Sequence, residues 1–220
     1  GIAAFRPWGF ELAGDGEPER LAGARVSANL FSLLGIAALH GRSFRPGDDE
    51  PGQARSAMLA EGVWRRRFGA DPGLVGRSIE LNGEAYEVVG IVPDGFAMPP
   101  AEVYVPLAFA PYETEQRGNR TLSVIGRLRP GVELAAARDD IGGIMVDLAR
   151  RFPDSNAGWT SVLTPLSVDV TGPARAPIVL LFTATCVLLA LACANVANLL
   201  LARAAARQRE LAVRLSLGCS

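Results

Sequence analysis

Lysine is absent from this 220-residue chain, histidine occurs once, and cysteine occurs three times. Each scarcity removes a class of chemistry. The 22 basic residues are all arginine, which reads as genomic compositional bias rather than a functional mark. No phosphate-binding G-x-x-x-x-G-K-[ST] loop occurs, and no G-x-G-x-x-G dinucleotide fingerprint. His40 sits alone in Ala-Leu-His-Gly-Arg, with no second histidine or nearby cysteine to complete a metal site, so it reads as a turn or surface residue. A Ser-His-Asp triad would have to use that same residue, and no G-x-S-x-G elbow is present. Asp139-Asp140 are adjacent carboxylates, and neighbours on a helix point apart. Cys186, Cys193 and Cys219 lie in an apolar run and in the tail after it, so the first 185 residues have no disulfide framework. The reading is of a non-enzyme, with no catalytic, cofactor-binding or metal residues assigned. The chain also begins Gly-Ile-Ala-Ala-Phe-Arg-Pro, without an initiator Met, a charged n-region or an h-region, and is expected to be a fragment of a larger membrane protein.

Charge is missing altogether from residues 178–202, IVLLFTATCVLLALACANVANLLLA. At ~1.5 Å per residue these form a helix of roughly 37 Å, enough to cross a hydrocarbon core of ~30 Å. Arg203, Arg207, Arg209 and Arg214 follow it against the single acid Glu210, whereas Arg175 stands alone before it for more than twenty positions. Arginines flanking a span are retained in the cytoplasm. Residues 1–175 are therefore expected to be periplasmic or extracytoplasmic, 176–202 a transmembrane helix, and 203–220 cytoplasmic. The outer segment is mildly acidic, which argues against nucleic-acid binding.

Along the outer segment, residues 5–13 and 20–28 read as strands joined by a polar turn. Asn29 is placed to cap a short helix, 30–34, that ends at Gly35. Asp48, Asp49 and Glu50 fall in a Gly/Pro-rich loop without calcium-loop spacing, and read as solvated charge. Residues 60–68 form a helix with Val63, Trp64 and Phe68 inward and Arg65, Arg66 and Arg67 on a solvated face. Asp71-Pro72 has the form of an N-cap followed by an N1 proline. Asn82-Gly83 is the pair a type I′ turn needs, setting Leu81 against Glu84 and Ile79 against Tyr86. Residues 93–107 read as extended, proline-punctuated chain, and 121–128 as a strand. Leu134, Ala137, Ile141, Ile144, Leu148 and Phe152 predict a helix with one buried stripe, and Gly142-Gly143 a close approach to a sheet. A last strand is expected near 161–170, leading to the membrane through Thr171-Gly172-Pro173. These elements describe an α+β domain of short strands, hairpins and helices, followed by one transmembrane α-helix.

Two features of the membrane region stand above background. Asn195 and Asn198 are three residues apart on one helical face, and amides in lipid normally hydrogen-bond to neighbouring helices. In the tail, Leu211 and Leu215 make an apolar edge on a charged helix with Glu210 and Arg214 four apart. A membrane-surface anchor and a docking helix for a cytoplasmic partner both fit that pattern.

ACANVANLLLARAAARQRELAVRLSLG closely resembles the second membrane helix and following cytoplasmic segment of FtsX/MacB-like ABC transporter permeases, especially their duplicated acidobacterial-type branch. RVSANLFSLLGI, GRSFRPGDD, WRRRFGADPGLVGRSIELNGEAYEVVGIVPDGF, YVPL and RLRPGVEL resemble, in the same order, the MacB-type periplasmic core domain. His40 departs from the aliphatic residue expected there. The resemblance implies a permease subunit of an ABC-type export or mechanotransmission complex in the bacterial cytoplasmic (inner) membrane. A partner cytoplasmic ABC ATPase would supply ATP hydrolysis. Its contact segment would include Arg207, Arg209, Glu210, Leu211 and Arg214, while Asn195 and Asn198 would pack against other permease helices or a second permease half. A bitopic receptor or anchored periplasmic binding module is the alternative, and the number of spans in the intact protein separates the two.

Overall fold

The computed structural model describes residues 1–14, 17–53, 55–95, 99–116 and 118–216, with backbone alone at 115, 171, 173–175 and 205–216. It divides into a unit of residues Gly1–Ser161 and a second of Val162–Ser220.

In the first unit, strands β1 (Ile2–Ala13) and β2 (Glu19–Val26) form an antiparallel pair from Phe5↔Val26 to Leu12↔Glu19. Helix α1 (Leu30–Leu34) follows and ends at Gly35, whose φ of 75° lets its N–H turn back to the Phe31 and Ser32 carbonyls. Asn29 occupies the cap position but does not cap; its side-chain amide donates to the Ile2 carbonyl and ties the helix to β1. β3 (His40–Gly41) and β4 (Ser56–Ala60) precede helix α2 (Glu61–Phe68). A single 3₁₀ turn at Pro72–Leu74 is capped by Asp71, whose carboxylate accepts from the Gly73 N–H.

β5 (Ser78–Leu81) and β6 (Glu84–Val92) make the expected hairpin, with Leu81↔Glu84 and Ile79↔Tyr86 paired. Asn82 and Gly83 take φ of 53° and 77°, as that turn requires. Residues 103–106, expected only as extended chain, form β7 (Val103–Pro106), buried at all four positions. Proline is tolerated there because Pro106 ends the strand. After helix α3 (Pro111–Glu115) come β8 (Ser123–Gly126), helix α4 (Leu134–Arg151) and one turn, α5 (Pro153–Asn156).

The pairings close on themselves. β1 joins β2, β2 runs parallel to β7, β7 is antiparallel to β4, β4 is parallel to β6, and β6 joins β5. β5 returns to β1, at Leu12↔Leu81 and Ala13↔Glu80. Six strands thus make a small barrel, with β3 on β6 and β8 on the first residues of β1 as additions. Alternation sorts the strand side chains into two cores. Phe10, Leu12, Leu21, Ala57, Leu59, Ile79, Leu81, Val103 and Val105 fill the inside with Val63 and Trp64 of α2. Ala24, Val26, Met58, Val89 and Tyr104 pack outside under Leu30 and Phe31 of α1. Each fully buried aliphatic side chain contributes about 1.5–3 kcal/mol.

Four further expectations are corrected. His40 lies in a strand, opposite Ile91, rather than in a turn. Asp48 and Asp49 are not free loop charges: Asp48 pairs with Arg42 at 3.1 Å and accepts from the Arg45 N–H, while Asp49 accepts from the Ala28 N–H. α4 buries no side chain, and a Cβ on Gly142 or Gly143 would meet nothing. The two cores are completed by α1 and α2, and neither includes a side chain of α4. Finally, residues 161–165 are irregular and 166–170 are helical, so no strand forms there.

The second unit is one helix, α6 (Leu166–Ser216). The Val168 and Asp169 N–H groups donate to the Pro165 carbonyl, starting the helix, and the backbone stays helical through Thr171-Gly172-Pro173. Val168 and Val170, within the stretch expected as a strand, are carried by the helix.

Candidate functional site

β1 presents Arg6, Trp8 and Phe10 on one face, and Arg6 stands opposite Arg25 of β2. Two like charges directly opposite would repel. Glu113 of α3 intervenes: one carboxylate oxygen lies 2.5 Å from Arg6 Nη2 and 3.8 Å from Arg25 Nη1, and the other accepts from the Ala110 N–H at 2.9 Å. That backbone bond and then Arg6 hold the Glu113 carboxyl below its ordinary range. Arg25 is lowered, first by burial and then by the neighbouring Arg6. The Trp8 ring lies against both guanidiniums, 5.1 Å from Arg6 and 5.7 Å from Arg25.

Other charges bind the chain to itself. Arg66 spans Glu19 at 2.6 Å and Glu102 at 3.0 Å, and both bonds raise its pKa. Arg65 pairs with Glu61, and Arg67 donates to the Glu17 carbonyl. Of the three arginines expected on a solvated face, Arg65 thus pairs within α2 and stays exposed, while Arg66 and Arg67 tie Glu17 and Glu19 of the first hairpin and Glu102, just ahead of β7, onto α2. The His40 ring lies 4.8 Å from Trp64 and tilted 52° to it, and the Trp64 indole N–H donates to the Asp71 carbonyl, so His40 is a packing residue at the α2 end of the inner core. Burial pushes the Tyr104 hydroxyl up to about 12, and it donates to the Pro99 carbonyl. Among the described residues no three His, Cys, Asp or Glu side chains converge as metal ligands.

On α6, Ala176–Ala204 is a 29-residue stretch long and apolar enough to cross a membrane, none of it buried. Thr183 and Thr185 satisfy their hydroxyls within the helix, on the Val179 and Leu181 carbonyls. Asn195 and Asn198 are exposed on this stretch. Arg207, Arg209, Glu210, Leu211 and Arg214 continue the helical backbone, and their side chains lie outside the described residues.

The expected site residues are thus confined to α6. The Arg6–Trp8–Arg25–Glu113 group lies in the other unit and was not singled out from sequence. Its one local signal is the period-two spacing of Arg6, Trp8 and Phe10.

A mixed α+β barrel joined in sequence to a long unburied apolar helix defines a membrane-anchored protein with an extramembranous domain. The MacB-like periplasmic core domain matches residues 2–144, and the chain belongs to that family, carried by MacB/FtsX-like permeases. No curated protein matches the chain. Among solved structures, a domain of a permease protein from Porphyromonas gingivalis aligns with TM-score 0.52 and 15% identity, covering 77% of each chain. The periplasmic region of MacB from Actinobacillus actinomycetemcomitans aligns with TM-score 0.53 and 13% identity, over 73% of this chain and 77% of that one. The extracellular domain of the ABC-type transporter YknZ from Gram-positive bacteria aligns at TM-score 0.49 and 14% identity, over 71% and 78%. At these identities the first two likenesses are of fold alone.

Proposed function

We propose that this chain is a permease subunit of an ABC-type export or mechanotransmission complex. Residues 1–175 form its periplasmic core domain, 176–202 its span in the cytoplasmic membrane, and 203–220 the start of the segment that meets a cytoplasmic ABC ATPase. Permeases of this family work with such ATPases generally. The observation that carries the reading is the continuity of α6, whose backbone passes from Ala176–Ala204 through to Ser216 without leaving the helix. A helix is stiff along its axis, so a push on its cytoplasmic end reaches the periplasmic end. Arg207, Arg209, Glu210, Leu211 and Arg214 would receive that push, and Asn195 and Asn198 would hold the span against other permease helices or a second permease half.

The test is affinity capture after co-expression with the ABC ATPases of the same genome. The unaltered chain should retain one of them. Glu210→Arg and Leu211→Asp should each lower the retained ATPase by about tenfold, the size of a lost charge-assisted or well-packed contact, while the permease stays in the membrane fraction. Capture that both variants leave unchanged would remove the coupling role.

A further inference from the structure

The barrel is closed unevenly, and the gap has chemistry of its own. β1 meets β8 at Ile2 through Phe5 and β5 only at Leu12 and Ala13. Between them, at Arg6 through Phe10, no strand pairs with that edge among the described residues. One end of the barrel interior is filled by Trp64 and Leu74. At the other lies a cleft of about 760 Å³, lined by Trp8, Phe10, Arg25, Ser56, Tyr86 and Val105 among others. That volume is in the range of small-molecule sites, and barrel mouths are a recurrent place for them.

We propose that this mouth binds a small amphipathic carboxylate, its anionic group on Arg25 and its apolar body against Trp8, Phe10 and Tyr86. Three observations carry the assignment. First, the charges do not balance. Arg6 and Arg25 share Glu113, whose two oxygens are engaged by Arg6 and the Ala110 N–H, leaving Arg25 at 3.8 Å, beyond a hydrogen bond. Arg25 otherwise donates to the Ala108 carbonyl, a neutral acceptor, and a half-buried guanidinium next to another favours an added anion. Second, the floor is aromatic. Phe10 and Tyr86 pack edge to face at 6.4 Å, and Trp8 remains 44% exposed although its ring is held by two guanidiniums. Third, Ser56 lines the cleft with its hydroxyl buried and, among the described residues, without a hydrogen-bond partner. Such a group is costly unless something bonds to it.

The positive charge is local to Arg25, because two of the three acids that also line the mouth are engaged and the third faces solvent. Asp48 is paired with Arg42 and Glu84 with Arg55, leaving Glu50, which is exposed to solvent. The reading does not depend on any ATPase partner.

The experiment compares N-acetylphenylalanine, its uncharged amide and inorganic phosphate, by ligand-observed NMR on the full chain in lipid nanodiscs, with empty nanodiscs as the control. The acid should bind. The amide and phosphate should each bind about tenfold more weakly, for want of the charge-assisted bond and the apolar body respectively. Arg25→Gln should bring the acid down to the level of the amide, and Trp8→Ala should weaken both. Equal binding of acid and amide to the unaltered chain overturns the assignment, as does equal binding of phosphate, or no binding above empty nanodiscs. The comparison of ligands on the unaltered chain decides the matter even if Arg25→Gln fails to give the thermal melt of the parent. Failure of the unaltered chain to retain any ATPase, with the ligand result intact, would overturn the permease reading alone.

Discussion

Leu59 and Leu189 are the same side chain in opposite situations. Leu59, on β4 inside the barrel, is 0% exposed, whereas Leu189, midway along Ala176–Ala204, is 64% exposed. Around Leu59, six strands and α2 supply apolar neighbours. Around Leu189, every turn of the helix carries apolar groups outward. Folding in water requires most large apolar side chains to be hidden. The barrel unit meets that demand from its own residues, and the α6 stretch does not, so a different solvent must meet it. The contrast separates a domain that is stabilised by itself from a helix that is stabilised by a membrane.

The largest effects should come from placing the same charge in both settings. Leu59→Asp combines a cavity with a buried carboxylate and should cost the barrel about 4 kcal/mol or more, abolishing its cooperative thermal melt. Leu189→Asp should leave that melt unchanged and instead disfavour membrane insertion by about 2.5–3.5 kcal/mol, read by glycosylation mapping of translocated segments. A drop in melting temperature of equal size in both variants would break the comparison.

A smaller effect is expected at the partly buried ion pair. Glu113→Gln should cost about 1–3 kcal/mol at neutral pH, because it leaves two facing guanidiniums without a counter-charge. Glu113 titrates below its ordinary value in the folded barrel, held by the Ala110 N–H and Arg6. Its stabilisation is therefore complete above the ordinary carboxylate range and is lost as pH falls through the depressed folded value. Urea melts from neutral pH to pH ~3 should show a shallower acid loss in Glu113→Gln than in the parent; parallel curves would show that other carboxylates set the acid limb.

The smallest change sharpens the picture of local against global control. Gly83→Ala places a Cβ at a φ of 77° where no neighbour obstructs it, so the cost should be the backbone strain alone, about 1 kcal/mol. A shift in the urea midpoint with an unchanged slope is the expected signature.

Much of the fold could be read along the chain wherever a signal is local. Asn82-Gly83 specified its turn because both residues tolerate positive φ, and Asp71-Pro72 specified its cap through one side-chain oxygen. The apolar run could be read because length and lack of charge are sums over neighbours. β7 was passed over because its residues alternate too briefly between prolines, and only parallel pairing with β2 identifies Val103–Pro106 as a strand. α4 misled in the other direction, since Leu134, Ile141 and Leu148 have the spacing of a buried stripe, yet the cores are completed without it.

Composition and local pattern were enough to establish the absence of familiar catalytic motifs, the apolar stretch of α6, the β5–β6 hairpin and the family resemblance. Those properties depend on residues adjacent or a few places apart. The closing of six strands into a barrel, and with it the meeting of Arg6 and Trp8 with Arg25, Ser56, Tyr86 and Glu113, required the folded chain. Arg6 and Glu113 are 107 positions apart, and strand pairing together with the placement of α3 brings them into contact beside the open mouth that Trp8, Arg25, Ser56 and Tyr86 line.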